Sequence, residues 1–96
     1  MRTAQATAKR RIIHYSGRVQ GVGFRYTVQN IVLQYNVFGY VRNLSDGKVE
    51  LVMEGNDSEM DQVAQRVFEK MAEFVKKATV QDAPATGEFD RFSIRH

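Results

Sequence analysis

Cysteine is missing from the whole chain, and acidic residues are missing from its first 45 positions. The lack of cysteine excludes disulfides, thiolate metal sites and cysteine nucleophiles. No apolar run approaches the length of about 20 residues that a membrane-spanning helix needs. The 96 residues suffice for one domain with a single modest core.

The positive charge of the chain is concentrated in its first half. Residues 1–45 contain 7 Lys and Arg residues and no acid, a charge of +7, and residues 46–96 contain 7 basic and 11 acidic residues, a charge of −4. The two halves sum to the net charge of +3. A basic half favours an anionic partner, such as nucleic acid or a small phosphate.

The first ten residues, MRTAQATAKR, are polar and lack the apolar segment of a secretory signal. They weakly resemble an organelle transit peptide, because they are rich in Thr, Ala, Arg and Gln. The general mobility of chain termini favours a flexible tail over residues 1–10. We therefore expect one domain over residues 11–96 and a cytoplasmic protein.

Hydrophobic periodicity predicts a strand and a helix in the first third of the chain. Residues 11–15 alternate as a strand does, and apolar side chains of residues 24–35 fall on one helical face. Asn36 can adopt the left-handed geometry that closes a helix, as glycine often does.

A hairpin is predicted from residues 37–43 and 48–54, which are joined by the Asp46-Gly47 turn. Its second strand alternates between apolar Val49, Leu51 and Met53 and charged Lys48, Glu50 and Glu54. This alternation predicts one buried face and one wet face.

A second helix, capped by Asp57 or Ser58, is predicted from apolar residues at helical spacing up to Val75. Short strands follow at residues 78–83 and 91–95. The order β-α-β-β-α-β, with room for an extra terminal strand, predicts an α+β fold of the ferredoxin-like, split βαβ type. We expect an antiparallel sheet of four or five strands with two helices on one face.

The glycine-rich segment SGRVQGVGFRYT, residues 16–27, connects the first strand to the first helix. Gly17, Gly21 and Gly23 permit a loop whose backbone N–H groups surround one concavity, and the helix start adds free donors. Such a nest suits a tetrahedral oxyanion, most often phosphate. Arg25, in the first helical turn, could grip two of its oxygens. Neither the nucleotide P-loop nor the dinucleotide fingerprint fits, so the loop alone indicates an anion site.

Two sequence blocks together say more than the loop. GRVQGVGFR at residues 17–25 and GYVRNLSDGKVE at residues 39–50 closely resemble the acylphosphatase family, over about residues 12–94. The resemblance implies a small stand-alone enzyme with a ferredoxin-like fold. It would hydrolyse the carboxyl-phosphate bond of small acyl phosphates to carboxylate and inorganic phosphate by in-line water attack, with no metal or other cofactor.

The resemblance also implies residue roles. Arg25 would bind and stabilise the phosphate, and Asn43 would position the attacking water. The phosphate cradle would comprise Arg18, Val19, Gln20, Gly21, Val22 and Gly23, with Gln20 acting as loop support. The chain departs from common family patterns at Asn36, Lys48 and the terminal Arg95-His96, and we expect none of these departures to touch Arg25 or Asn43.

The chemistry explains how two side chains could be enough. The carboxylate of an acyl phosphate leaves readily, so positioning and neutralising charge on the phosphoryl oxygens can suffice. His14 is a candidate general base because imidazole ionises near neutral pH. Its place three residues before the loop favours a structural role instead. We expect the phosphate of the substrate to accept the proton of the water.

Several alternatives remain open. The chain could be a catalytically idle phosphate-binding or regulatory domain, a module of a larger enzyme, or an RNA-binding module. RNA binding is disfavoured because KVELVMEG is acidic and aliphatic where such domains carry aromatic residues. A protein-tyrosine phosphatase is excluded by the missing thiol. We therefore predict a monomer that binds a small acyl phosphate and its product, inorganic phosphate, and that binds neither a membrane nor nucleic acid.

Overall fold

Five strands and two helices make up the computed structural model, which describes residues 8–96. In chain order they are β1 (Lys9–Gly17), α1 (Phe24–Val32), β2 (Phe38–Asn43), β3 (Val49–Gly55), α2 (Asp57–Met71), β4 (Val75–Pro84) and β5 (Phe92–Arg95). This order confirms the predicted β-α-β-β-α-β pattern with its additional terminal strand. The α+β, ferredoxin-like fold is therefore confirmed.

The strands form one sheet in the order β4-β1-β3-β2-β5. The first four strands pair antiparallel, with Ile13 opposite both Leu51 and Val80, whereas β5 pairs parallel to β2. The predicted antiparallel sheet of four or five strands therefore has five strands and is mixed, because β5 is parallel to its neighbour. The chain reverses direction after β4 but then crosses to the opposite edge, where the adjacent strand runs the same way as β5.

The core lies between the inner face of the sheet and both helices. The two helices contact each other, and α1 also contacts β2 and β5 while α2 contacts β3. The fully or almost fully buried residues include Ile13, Tyr15, Val41, Leu51 and Met53 from the sheet, Phe24, Val28 and Ile31 from α1, and Met60, Val63 and Val67 from α2. Both helices therefore pack on one face, as predicted.

The ends of α1 and α2 differ from the predictions. The first helix ends at Val32. No residue other than glycine has a positive φ within residues 8–96, so Asn36 does not adopt the left-handed conformation that its residue type allows. The Asn36 N–H instead donates to Glu59 Oε1 at 2.7 Å. The cap of α2 is Asn56, whose side-chain oxygen accepts from the Glu59 N–H at 2.8 Å. Neither Asp57 nor Ser58 is the cap, and Val75 begins β4 rather than continuing α2.

The first strand begins at Lys9, two residues before the predicted start. Lys9 pairs with Gly55 of β3 and Pro84 of β4, and its Nζ lies 3.1 Å from Asp57 Oδ2. The last residues of the expected tail, Lys9 and Arg10, thus belong to the sheet. Residue 8 is in neither a helix nor a strand, and the part of the prediction on residues 1–7 lies outside the described part of the chain.

The outer face of β3 is covered where a wet face was predicted. The connection between β4 and β5 crosses this face, and Glu54 is fully buried beneath it. The Glu54 carboxylate accepts hydrogen bonds from Arg10 Nε (2.8 Å), Thr86 N (2.9 Å), Thr86 Oγ1 (2.9 Å) and Gly87 N (2.9 Å). A short apolar-charged alternation could not reveal this, because the partners lie more than 30 residues away.

The Glu54 cluster predicts a pH-dependent stability. Burial by itself would raise the pKa of Glu54, but the donors of Thr86, Gly87 and Arg10 outweigh burial and lower it. The stabilisation is therefore complete above the pKa of an unfolded glutamate, about 4.3, and is lost as the pH falls through the lower folded pKa. We expect Glu54→Gln to lower the free energy of unfolding at pH 7 by about 2 kcal/mol or more.

Urea unfolding between pH 2.5 and pH 7 measures this effect. The difference between wild type and Glu54→Gln should shrink as the pH falls below about 4. The exposed Glu73→Gln is the matched control and should show no such step. A difference that stays constant over the whole range would show that the Glu54 charge contributes nothing.

Candidate active site

The loop between β1 and α1 owes its shape to two glycines. Gly21 (φ 77°) and Gly23 (φ 78°) both have left-handed backbone conformations, which residues other than glycine rarely adopt. Within residues 8–96, the backbone N–H groups of residues 19–24 donate no hydrogen bond to the protein. The first bond of the helix is that of the Thr27 N–H to Gly23 O at 3.0 Å. Several N–H donors are therefore available to an anion at this loop.

Buried side chains hold the loop at both ends. Val19 is fully buried, and Phe24 packs on Tyr15 with 4.9 Å between the ring centroids. The hydroxyl of Thr27 donates to Gly23 O at 2.9 Å. The start of α1, and with it Arg25, is thus fixed to the core.

A small pocket of about 110 Å³ lies at this loop. Its lining consists of Val19, Gly21, Gly23, Phe24, Arg25, Tyr26 and Asn43. Asn43 is the last residue of β2, so the pocket joins the loop, the first turn of α1 and the end of a central strand. Of the residues that the sequence analysis singled out, Arg25, Asn43, Val19, Gly21 and Gly23 therefore come together.

The side chains of Arg18 and Val22 lie elsewhere. The Arg18 guanidinium lies over the Phe74 ring at 5.2 Å, and its backbone N–H donates to Phe74 O at 3.0 Å. Val22 packs, partly buried, against the core. Neither residue lines the pocket.

Gln20 joins the loop to the β2–β3 hairpin. Its Nε2 donates to Leu44 O at 2.8 Å and to Lys48 O at 2.9 Å, and Leu44 immediately follows Asn43. Both amide hydrogens of Gln20 are thereby used. The loop and the strand end that carries Asn43 are held together by this one side chain.

The two bonds predict the effect of Gln20→Glu. A carboxylate offers no donor and would face two carbonyl oxygens, so we expect the free energy of unfolding to fall by about 1–3 kcal/mol. Because Asn43 would lose its fixed position, kcat should fall as well. Thermal unfolding and kcat measured on the folded variant test both effects. The control Gln62→Glu adds the same charge on exposed α2 and should change neither, whereas an unaltered kcat in Gln20→Glu would contradict the link to Asn43.

The charges of the basic half are mostly paired. Salt bridges join Lys9 to Asp57 (3.1 Å), Arg10 to Glu54 (2.8 Å), Arg11 to Asp61 (2.6 Å) and Asp82 (3.0 Å), and Arg42 to Glu50 (2.8 Å). Among the basic residues of the first half that the structure describes, Arg18 and Arg25 have no carboxylate partner. The uncompensated positive charge at the pocket is therefore that of Arg25.

The nearest polar partner of Arg25 is His96. The Arg25 Nη1 lies 3.2 Å from His96 Nδ1, which accepts this N–H when the imidazole proton is on Nε2. The expectation that the terminal residues would not touch Arg25 is wrong. The contact joins residues 71 positions apart and leaves no signal in either motif.

His14 lies on the outer face of the sheet rather than at the pocket. Its Nε2 is 2.8 Å from Glu50 Oε2, and the same carboxylate accepts from Arg42 Nε (2.8 Å) and Tyr40 OH (3.2 Å). Burial would raise the pKa of Glu50, but the hydrogen bonds from His14 and Arg42 outweigh burial and lower it. His14 therefore belongs to a structural cluster centred on Glu50.

A larger groove of about 660 Å³ lies between the two helices, where Arg66, Lys70 and Glu69 line it with Thr27, Asn30, Ile31 and Gln34. Its charges are of both signs, and it lacks the loop amides and Asn43. Among residues 8–96, no cluster of three or more His, Cys, Asp or Glu side chains could hold a metal ion. No helix in that range is long and apolar enough to cross a bilayer.

A family model described as Acylphosphatase matches residues 11–94. The chain belongs to the acylphosphatase family. It is 41% identical over 80 residues to the acylphosphatase of Paenarthrobacter aurescens (strain TC1), covering 82% of this chain and 85% of that protein. It is 38% identical over 96 residues to the acylphosphatase of Rubrobacter xylanophilus, covering 99% and 86%. The crystal structure of the Bacillus subtilis acylphosphatase superposes with a TM-score of 0.79 at 33% identity, covering 93% and 99% of the two chains.

The activity follows from membership of this family, because the similarity extends over most of the chain. The protein is an enzyme with acylphosphatase activity, which hydrolyses an acyl phosphate to a carboxylate and inorganic phosphate. The resemblance stated from the two sequence blocks is thereby confirmed.

Sequence reasoning missed two residues at this candidate site, Tyr26 and His96. Tyr26 follows Arg25 directly and lines the pocket, although 61% of its surface is exposed. The helical pattern of apolar residues gave no reason to select it, because its position lies off the buried face. Only the adjacency to Arg25 could have drawn attention to it.

Proposed function

We propose that Arg25, Asn43 and the backbone amides of residues 19–24 carry out the hydrolysis, with water attacking phosphorus in line with the scissile P–O bond. The observation that supports this proposal is the shared pocket of about 110 Å³, which brings together both side chains and the loop. Its small size suits the phosphoryl end of a substrate and leaves the acyl group outside.

The loop and Arg25 bind the phosphoryl group. The N–H groups of residues 19–24, which donate to no described residue, and the positive end of α1 stabilise its negative charge. The guanidinium of Arg25 grips two oxygens at once. Because these donors are fixed before substrate binds, they stabilise the charge of the transition state without reorganisation.

Asn43 orients the attacking water. Its side-chain amide can accept a hydrogen bond from water and donate another to a phosphoryl oxygen. Gln20 holds the neighbouring Leu44 carbonyl, which keeps this strand end beside the loop. The geometry thereby replaces a random encounter with water by a positioned one.

The reaction balances without a cofactor. A bond forms between the water oxygen and phosphorus, and the bond between phosphorus and the acyl oxygen breaks. The carboxylate leaves with the electron pair, and a phosphoryl oxygen takes the proton of the water. His14, which is bonded to Glu50, takes no part.

Hydrolysis of benzoyl phosphate in ¹⁸O-labelled water with EDTA tests the proposal. Attack at phosphorus puts the label into inorganic phosphate, and attack at the carbonyl carbon would put it into benzoate. We expect labelled phosphate and undiminished activity with EDTA. The variant His14→Ala, if folded, should remain active; labelled benzoate, or a large loss in that variant, would overturn the mechanism.

Several finer properties are part of the same proposal. The protein acts as a monomer in the cytoplasm on small acyl phosphates. In support of a monomer, the large exposed apolar side chains are distributed over several elements. They lie on α1 and directly after it, on α2 and on β4, namely Tyr26, Leu33, Phe68 and Val80.

On the outer sheet face, the Tyr40 ring gives no support to RNA binding. Base stacking would need an open aromatic ring on this face. The Tyr40 ring is covered by the Arg95 guanidinium at 3.9 Å and contacts Phe89 edge-on at 5.8 Å between centroids. A catalytically idle phosphate-binding domain would have no use for Asn43 in its pocket.

A further inference from the structure

We propose that Tyr26 forms the binding site for the acyl group and gives the enzyme a preference for acyl phosphates with an aromatic or other large apolar acyl group. This inference rests on the proposed binding of phosphate by the loop and Arg25. It concerns the other end of the substrate, for which neither sequence motif names a residue.

The pocket lining leaves one apolar side chain free for contact. Val19 is fully buried and Phe24 is 2% exposed, so neither can reach a ligand outside the core. The remaining lining residues apart from Tyr26 are two glycines, Arg25 and Asn43. Tyr26, with 61% of its surface exposed, is thus the accessible apolar group among the described residues that line the pocket.

Local structure explains why the Tyr26 ring is outside the core. Phe24 faces the core, and a residue two positions later is rotated by about 200° around the helix. Within the described part of the chain, Tyr26 makes no hydrogen bond, ion pair or ring contact. No described residue thus engages this ring in such a contact, so the ring is available to a ligand.

The chemistry of in-line attack directs the acyl group away from the water. The leaving carboxylate lies opposite the nucleophile across phosphorus, and Asn43, which we assign to the water, lies on β2. Tyr26 lies on a different element, the first turn of α1. An aromatic ring there would stack against an apolar acyl group, whereas a small polar acyl group would gain little.

The size of the effect follows from ring contacts in general. A contact between two aromatic rings strengthens binding by a factor of about 3 to 10 beyond the effect of burying their surface. Because the contact exists both in the bound substrate and in the transition state, it should change KM more than kcat.

The test compares benzoyl phosphate with acetyl phosphate. In Tyr26→Ala, the ratio of kcat/KM for benzoyl over acetyl phosphate should fall by about 3- to 10-fold, mainly through KM for benzoyl phosphate. Tyr26→Phe should keep the wild-type ratio, since the ring provides the contact. The control Leu33→Ala removes an apolar side chain that is 78% exposed seven residues later and away from the pocket, and should leave the ratio unchanged.

Three results would overturn the inference. They are an unchanged ratio in Tyr26→Ala, an equal loss for both substrates, and a fall of the ratio in Tyr26→Phe. A failure of the underlying phosphate site would look different, since Arg25→Lys would then leave kcat for both substrates intact. The inhibition constant of inorganic phosphate in Tyr26→Ala separates the two cases, because loss of the acyl contact alone does not change it.

Discussion

Arg25→Lys should lower kcat by about 10²–10³-fold and weaken the inhibition by inorganic phosphate. Lysine keeps the positive charge but offers a point charge in place of the planar fork that binds two oxygens. Arg25 lines the pocket and has no carboxylate partner among the described residues, so its charge is directed at the ligand. Steady-state hydrolysis of benzoyl phosphate, with phosphate as competing inhibitor, measures both effects.

The matched control is Arg66→Lys, which makes the same exchange on exposed α2 and outside the pocket. It should leave kcat and the phosphate inhibition constant at wild-type values. If Arg25→Lys also kept nearly full activity, Arg25 would have no part in stabilising the transition state.

Asn43→Ala should lower kcat by about 10²-fold, with little change in phosphate binding. The loss is expected because water would no longer be held in line, while the loop amides and Arg25 would still bind phosphate. This separation of turnover from binding is what distinguishes Asn43 from Arg25. The kcat for benzoyl phosphate and the phosphate inhibition constant of the same variant test it.

Asn30→Ala is a suitable control, because Asn30 is an exposed asparagine on α1 that lines the interhelical groove and not the loop pocket. Its kcat should equal that of the wild type. Loss of phosphate binding with turnover preserved in Asn43→Ala would contradict the role in orienting water.

Local sequence patterns predicted the parts of the fold that depend on local forces. The alternation of residues 49–53 and the Asp46-Gly47 turn predicted the central hairpin. The glycines before Phe24 predicted the loop that precedes α1. These features follow from side-chain period and backbone conformation, which neighbouring residues determine.

The features that were missed depend on distant partners. Glu54 is buried because the segment containing Thr86 and Gly87 crosses the sheet, and β5 pairs parallel because its chain reaches the far edge. His96 reaches Arg25 from the end of the chain. Periodicity within a short window contains no information about such contacts, so only the three-dimensional structure could reveal them.

The candidate site divides in the same way. The motif residues Arg25 and Asn43 could be selected from sequence, since their residue types and spacing match a family. The sequence could not predict that the side chains of Arg18 and Val22 lie outside the pocket. In an irregular loop, side-chain direction does not follow a regular spacing along the sequence. The sequence could not identify Tyr26 as the exposed apolar residue of the pocket, because that depends on which other lining residues are buried.

In the proposed mechanism, the amides of residues 19–24 and the Arg25 guanidinium bind a phosphoryl group to which Asn43 directs water. Titration of ¹⁵N-labelled protein with inorganic phosphate, followed by NMR of the backbone amides, tests this claim most directly. We expect the amide signals of residues 19–24 to shift with one Kd, which should be unchanged in Asn43→Ala and higher in Arg25→Lys. Amide signals that stay in place while phosphate inhibits hydrolysis would contradict it.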